Sequence, residues 1–329
     1  MKKFINEVDA VENEMVAGLV KAFPRHVRKL DCGNVIVRAE KKTGKVALVS
    51  GGGSGHEPSF GGYVGRGMLD AAVSGAIYTS PAADLIYEAI KAVATEKGVL
   101  LAPMNYTGDI MNFEMAKEMA EAEGIKVEQV VINDDVAVDN SLYTVGRRGV
   151  AGTVLVHKIA GAKAEAGADL ADVKAVAEKV IANVRTMGVA INPSTIPAAG
   201  KPGFTLAEDE MEVGIGIHGE PGVRKEKLRK ADEIVDTLLE KILADIDYSG
   251  GEVAVLVNGS GGTPLMELLI VNNRVHDVLA SKGIRIYRTF AGNYMTSIEQ
   301  EGFSLSLLKL DDEMKNLLDA AVEAPAMRN

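Results

Sequence analysis

Thiols are almost absent from this chain. Cys32 is the one cysteine in 329 residues, which excludes an intramolecular disulfide framework and a thiolate metal cluster and fits a reducing compartment. It lies in LDCGNV, without a nucleophile signature, and reads as a structural thiol. Long apolar runs are missing too, so no segment is expected to span a bilayer. Positive charge is in deficit: 36 Lys and Arg stand against 46 Asp and Glu, for a net charge of -10 and a pI near 5.2. That balance argues against nucleic acid or an anionic membrane as partner. The chain starts with two lysines, but Glu7, Asp9, Glu12 and Glu14 break any apolar signal core. Phe4, Val8, Val11, Met15, Leu19 and Phe23 instead recur at helical spacing, with Pro24 as the limit. A soluble cytoplasmic protein is expected.

What is present is ordinary globular material. At 47% hydrophobic the chain can bury full cores, and its length suggests two domains. The strand-like runs VALVS (46–50), VLLAP (99–103) and VEQVVI (127–132) alternate with helical patterns around 82–95 and 112–123. Such alternation places helices on a mostly parallel sheet. A long helix follows in ADLADVKAVAEKVIANVRTMG, with Leu170, Val173, Val176, Val180 and Val184 on one face and Gly188 as its stop. Three prolines in NPSTIPAAGKPGF then mark a boundary. Beyond it come a strand ending in EVGIGI, a helix across 227–245, and the strand EVAVLVN, which enters GSGGTPLMELL. The expected fold class is α/β: two α/β domains with mostly parallel or mixed sheets, residues 1–188 and 189–329, and a substrate site between strand-end loops of both.

The segment VSGGGSGHEPSFGGYVGRG (49–67) reads as a glycine turn after a buried strand, where main-chain N–H groups approach an oxygen-rich ligand. It is not a nucleotide loop. A P-loop ends in Gly-Lys-Ser/Thr, whereas this run gives Gly55-His56-Glu57, and counting from Gly51 the sixth position of a dinucleotide fingerprint is His56. No lysine or arginine stands in the turn to neutralise a triphosphate. A neutral polyol or carbonyl compound suits it better, with His56 as a general base or hydrogen-bond acceptor, the alternative being a cap on the following helix. In MNYTGDIMNF, directly after a strand, Asp109 is placed to accept hydrogen bonds from substrate hydroxyls, the alternative being a helix cap. In GIGIHGEPG, His218 stands between glycines at a strand end. It is either a satisfied turn histidine or a reactive ring with unusual space around it. His26 is expected at the surface and His157 and His276 on helices. The pairs Asp134–Asp135 and Asp311–Asp312 lack further ligands at metal spacing and read as loop or helix-start residues, so no metal is expected.

Taken together and in order, SGGGSGHEP, NYTGD, GIGIHGEPG and NGSGGTPLMEL resemble the dihydroxyacetone-binding subunit of bacterial dihydroxyacetone kinase, across nearly the whole chain. The resemblance implies a phosphotransferase subunit that holds its ketone covalently rather than one that binds ATP. His218 would add to the carbonyl to give a hemiaminal, His56 would accept a proton, and Asp109 would be the substrate-binding carboxylate. Gly53, Ser54, Gly55 and His56 match the family's substrate loop. No cofactor would be bound by this chain; ADP or ATP with magnesium would sit on a separate nucleotide-binding subunit, which in many bacteria a phosphotransferase-system protein recharges. The resemblance also implies a homodimer, and the chain's end at EAPAMRN favours a stand-alone subunit. One position departs: where the family has a lysine before NYTGD this chain has Met104, an adaptable apolar side chain, carried here as substrate-contacting.

The chemistry offers an answer for His218, since a neutral imidazole is a modest nucleophile and a ketone a good electrophile. Gly216 and Gly219 would leave room for a substrate bonded to the ring. Two alternatives accompany this reading: a kinase subunit for a larger ketose such as erythrulose, permitted by Met104, and a non-catalytic dihydroxyacetone sensor that co-regulates transcription. A dinucleotide-dependent enzyme fails on glycine spacing.

Overall fold

The computed structural model describes residues 2–140 and 144–328. They form an α/β protein with two six-stranded sheets, and contact density divides the chain into two compact units. One unit comprises Lys2–Ile132, Leu155–Val180 and Asn316–Asn329; the other comprises Asn133–Val154 and Ile181–Lys315. The chain thus passes between them four times, beside the single division near residue 188 expected from the sequence.

The first unit holds β1 (Val27–Lys29), β2 (Val35–Arg38), β3 (Ala47–Ser54), β4 (Ala71–Ile77), β5 (Val99–Leu101) and β6 (Val127–Gln129), ordered β1-β2-β4-β3-β5-β6. β3 runs parallel to β4 and to β5, and β5 parallel to β6, while β1 and β2 are antiparallel additions. Helices α1 (Val11–Ala22), α2 (Ala83–Val93) and α3 (Thr107–Ala122) belong here, with most of α4 (Thr153–Glu165) and α5 (Leu170–Asn183). On α2, Ile86, Ala89, Ile90 and Val93 are buried at the spacing of one helix face and pack with Val49, Val73 and Leu101 of the sheet.

The glycines after VALVS do not form a turn at once. Residues 51–54 continue β3, all buried, and pair with β4. The side-chain-free backbone is what lets the strands approach: a Cβ on Gly51 would press into the Val73 carbonyl oxygen, and one on Gly53 would lie 2.6 Å from the Thr79 nitrogen. The turn itself begins at Gly55, with φ 102°.

The second unit holds β7 (Val184–Asn192), β8 (Glu210–Val213), β9 (Arg224–Lys227), β10 (Glu252–Gly259), β11 (Arg285–Gly292) and β12 (Glu301–Leu310), in the order β11-β10-β12-β7-β8-β9. Only β10 and β11 are parallel neighbours. Helices α6 (Ala231–Asp245) and α7 (Leu265–Ser281) bury Leu238, Ile242, Val271 and Val275 against Val253, Val255, Leu305 and Leu307; α8 (Asp312–Asp319) starts at its end.

Three element boundaries differ from the sequence reading. The helix expected to reach Gly188 stops at Asn183, and Val184 opens β7. Val184 continues the helical spacing, but β7 gains hydrogen-bonded neighbours on both sides, β12 and β8, and Gly188 lies opposite Ser304 in that ladder. The expected helix over 227–245 begins only at Ala231, because residues 224–227 pair with β8 as β9. EVGIGI is a strand only to Val213; Gly214, at φ 78°, ends it. Cys32, read as structural, is exposed in the turn between β1 and β2.

Replacing Gly51 by alanine should lower unfolding stability by about 1–3 kcal/mol, since the added methyl must push β4 aside. Chemical denaturation of Gly51→Ala checks this, and an unchanged midpoint would contradict the close approach of the two strands.

Candidate active site

Neighbouring parallel strands lead into the first group of residues. His56 follows the end of β3 by two residues, and Asp109 lies in the first turn of α3, which follows β5, the neighbour of β3. Both side chains are buried, His56 completely. The His56 ring lies on Tyr78, with centroids 5.2 Å apart and planes 17° apart, so its tilt is fixed by a flat neighbour. Ser59 N–H donates to the His56 carbonyl over 3.0 Å and closes the turn. Ser54 Oγ donates to the Gly75 carbonyl at 2.7 Å, and the Gly55 N–H donates to the Glu57 carboxylate, 3.1 Å to Oε2. Burial pushes the Glu57 carboxyl upward from its usual range. Asp109, three residues into a sixteen-residue helix, occupies the turn where amide dipoles favour negative charge.

Met104 is buried and forms a bridge with Ile132. Its Cε comes within 3.9 Å of where a Cβ on Gly52 would stand, beside Phe60. The methionine therefore packs toward the glycine run of β3, filling space that a charged chain could occupy only with a partner.

His218 belongs to the other unit, five residues beyond β8. Its side chain keeps 14% of its surface open. Nδ1 stands 2.9 Å from Glu220 Oε1, and the His218 backbone N–H donates to Glu220 Oε2 over 2.9 Å. The Glu220 side chain is itself fully enclosed. Burial works against its charge, but His218 and Arg148 outweigh it and hold its carboxyl at about 2. Arg148, also fully buried, donates from Nε to Asp135 Oδ2 at 2.8 Å and from Nη2 to the Gly214 carbonyl at 2.8 Å.

This arrangement corrects one expectation. A Cβ on Gly216 would overlap Glu220 Oε2 and lie 2.6 Å from Arg148 Nη1. Gly216 makes room for the carboxylate and the guanidinium, not for a ligand on the ring. Glu220 went unremarked in the sequence because GEPG reads as a turn; its one signal was a carboxylate two residues from a histidine.

The remaining candidates have structural roles. Asp134 accepts N–H bonds from Val150 at 2.9 Å and Gly152 at 2.8 Å, just ahead of α4, as a helix-start residue. Asp135 is paired with Arg148 and lifted to about 6 by burial. Asp311 Oδ1 accepts from Met314 N–H at the start of α8. His276 is on α7 and His157 on α4, the latter buried with Nε2 3.5 Å from the Ala102 carbonyl. His26, expected at the surface, is partly covered, with Nε2 3.4 Å from Glu323. No helix among the described residues is long and apolar enough to cross a membrane.

A Dak1 domain model matches residues 17–326, and the chain belongs to the Dak1 family. The dihydroxyacetone-binding subunit DhaK of a PTS-dependent dihydroxyacetone kinase from Listeria innocua is 55% identical over 314 residues, covering 95% of each chain. The DhaK subunit of the PEP-dependent dihydroxyacetone kinase of Escherichia coli is 45% identical, covering 99% of both. Among solved structures, the dihydroxyacetone kinase from C. freundii in complex with AMP-PNP and Mg2+ superposes with a TM-score of 0.93 at 34% identity, over 99% of this chain and 61% of that one. The dihydroxyacetone kinase operon co-activator Dha-DhaQ gives a TM-score of 0.91 at 37% identity, over 98% of each.

Burial holds the His157 ring down at about 4. It is therefore neutral near pH 7, and as pH falls from about 6.5 toward 4 the unfolded chain takes up a proton that the folded chain refuses, so stability is lost across that window. An NMR titration should find no His157 protonation between pH 8 and 5; a midpoint near 6.5 would contradict the enclosed ring.

Proposed function

We propose that this chain is the dihydroxyacetone-binding subunit of a dihydroxyacetone kinase. It holds the ketone as a hemiaminal on His218 while a separate nucleotide-holding subunit supplies the phosphoryl group. The observation that carries this reading is the His218 ring: it stands partly open in the glycine-rich turn after β8, whereas His56 and His157 are shut in. The DhaK relatives, alike along almost their whole length, support the same conclusion.

The chemistry follows from the side chains. Nε2 of His218 attacks the carbonyl carbon; a carbon–nitrogen bond forms and the carbonyl π pair moves to oxygen, which takes up a proton. Nothing leaves, so the adduct carries the whole mass of the ketone. Glycerol has similar hydroxyls and no carbonyl, so it is excluded by reactivity rather than by shape. With the ketone tethered, its terminal hydroxyl attacks the phosphoryl group while His56 accepts the hydroxyl proton and Asp109 orients it by hydrogen bonding. Gly53, Ser54, Gly55 and Met104 complete the substrate contacts. The donor is a nucleotide with magnesium on the partner, recharged by a phosphotransferase-system protein, and the working form is a cytoplasmic homodimer.

A second reading, a ketone sensor acting on transcription, draws support from the likeness to Dha-DhaQ. The joint presence of His56, Asp109 and His218 favours catalysis. Turnover with a nucleotide-holding kinase subunit separates the two, because a sensor would form the adduct and transfer nothing.

Intact mass spectrometry should find the chain heavier by one whole dihydroxyacetone and unchanged with glycerol. His218→Ala should lose the adduct, and an adduct surviving in that variant would defeat the covalent assignment. Erythrulose in the same experiment sets the substrate range left open by Met104. His56→Asn and Asp109→Asn should keep the adduct while phosphoryl transfer falls roughly 10²–10⁴-fold; undiminished transfer would remove them from the chemistry.

A further inference from the structure

Glu220 has no assigned part in the ketone chemistry, yet its surroundings are tightly constrained. It is fully enclosed, one oxygen faces His218 Nδ1 at 2.9 Å, and the other accepts the His218 backbone N–H. Behind it stands Arg148, also fully buried, whose Nη1 borders the same space beside Gly216. Asp135 fixes the guanidinium from the far side, with Nη2 to Oδ2 at 2.6 Å. Four charged or titratable groups thus follow in sequence: Asp135, Arg148, Glu220 and His218. Removing either central member would strand a buried charge.

We propose that Glu220, backed by the Arg148–Asp135 pair, is a positioning residue that fixes His218 as its Nδ1–H tautomer and so leaves the Nε2 lone pair as the nucleophile toward a ketone. A carboxylate held ionised can only accept hydrogen bonds, so the ring nitrogen facing it must carry the proton. A neutral imidazole has one N–H, so the proton on Nδ1 strips Nε2 of its own. His218 and, behind it, Arg148 keep Glu220 ionised where burial alone would protonate it. The same contact serves the adduct. Once Nε2 bonds to carbon the ring carries positive charge, which the adjacent carboxylate either balances or relieves by taking the Nδ1 proton, while the former carbonyl oxygen gains one from solvent. The Oε2 bond to the His218 N–H ties ring and backbone to one carboxylate, which limits rotation of the imidazole.

The inference rests on the hemiaminal reading for its consequence but not for its primary test. In ligand-free wild-type protein carrying ¹⁵N-labelled histidine, ¹H–¹⁵N correlation through the ring should show His218 with Nδ1 protonated and Nε2 bare at neutral pH. A proton on Nε2 overturns the proposal whatever the ketone does. In Glu220→Gln, which removes the charge and can offer only one acceptor oxygen, the tautomer population should shift toward Nε2–H. Adduct formation followed by intact mass should then slow by roughly a hundredfold or more. Arg148→Met should act in the same direction through the charge state of Glu220. If Glu220→Gln does not fold, the wild-type spectrum alone decides. A folded Glu220→Gln protein with an unchanged tautomer and adduct rate refutes the positioning role while leaving the covalent reading intact. An Nδ1–H ring with no ketone mass in the wild type refutes the covalent reading and leaves the tautomer assignment standing.

Discussion

A carboxylate kept ionised in a dry interior governs the region around His218. Charge so enclosed is tolerable only when opposite charge and N–H donors surround it. Glu220 has the ring and backbone N–H of His218 on one side and Arg148 on the other. Arg148 in turn is anchored by Asp135 and by the Gly214 carbonyl. Three positions of the GIGIHGEPG stretch serve that demand: the Gly214 carbonyl accepts from Arg148, Gly216 clears space, and Glu220 folds back to the histidine two residues before it.

The other unit solves a different problem by a different use of glycine. There the task is close strand pairing rather than room for a charge, and β3 carries three consecutive glycines into its ladder with β4. The rigidity lost in an all-glycine backbone is offset by burial on both sides and by Ser54 bonding across to Gly75. The strand delivers His56 onto Tyr78, and its neighbour β5 leads to the helix turn bearing Asp109. Both residues therefore follow paired strands and sit in turns closed by backbone hydrogen bonds, elements stiffer than a free loop.

The α/β class, the helical patterns of α2, α3 and α6, the buried stripe of α5 and the strands β3, β5 and β10 were legible because each depends on local periodicity. What escaped depends on distant partners. Val184 extends a helical pattern faultlessly and is nevertheless a strand residue, since β12, more than a hundred residues later, offers it a ladder. Residues 301–310 place Phe303, Leu305 and Leu307 on one face and Ser304 and Ser306 on the other, a plain alternation, but their place between β10 and β7 is settled only by long-range pairing. At the candidate site, His56, Asp109 and His218 stood out as polar residues among glycines. Glu220 and Arg148 did not, because their importance comes from a side chain turning back on its own loop and from a guanidinium arriving 72 positions earlier in the chain. The glycine at 216 was noticed, and its purpose was misread for the same reason.

The crowding at Gly216 has an evolutionary corollary. Side-chain size at this position and acidity at position 220 occupy one volume, so they cannot drift separately: a lineage must surrender the acid before it can acquire a methyl group. In homologues that no longer bond a ketone to the ring, the pair should have been released together, leaving an alanine or serine opposite a shortened or neutral residue as a readable scar of the lost attachment.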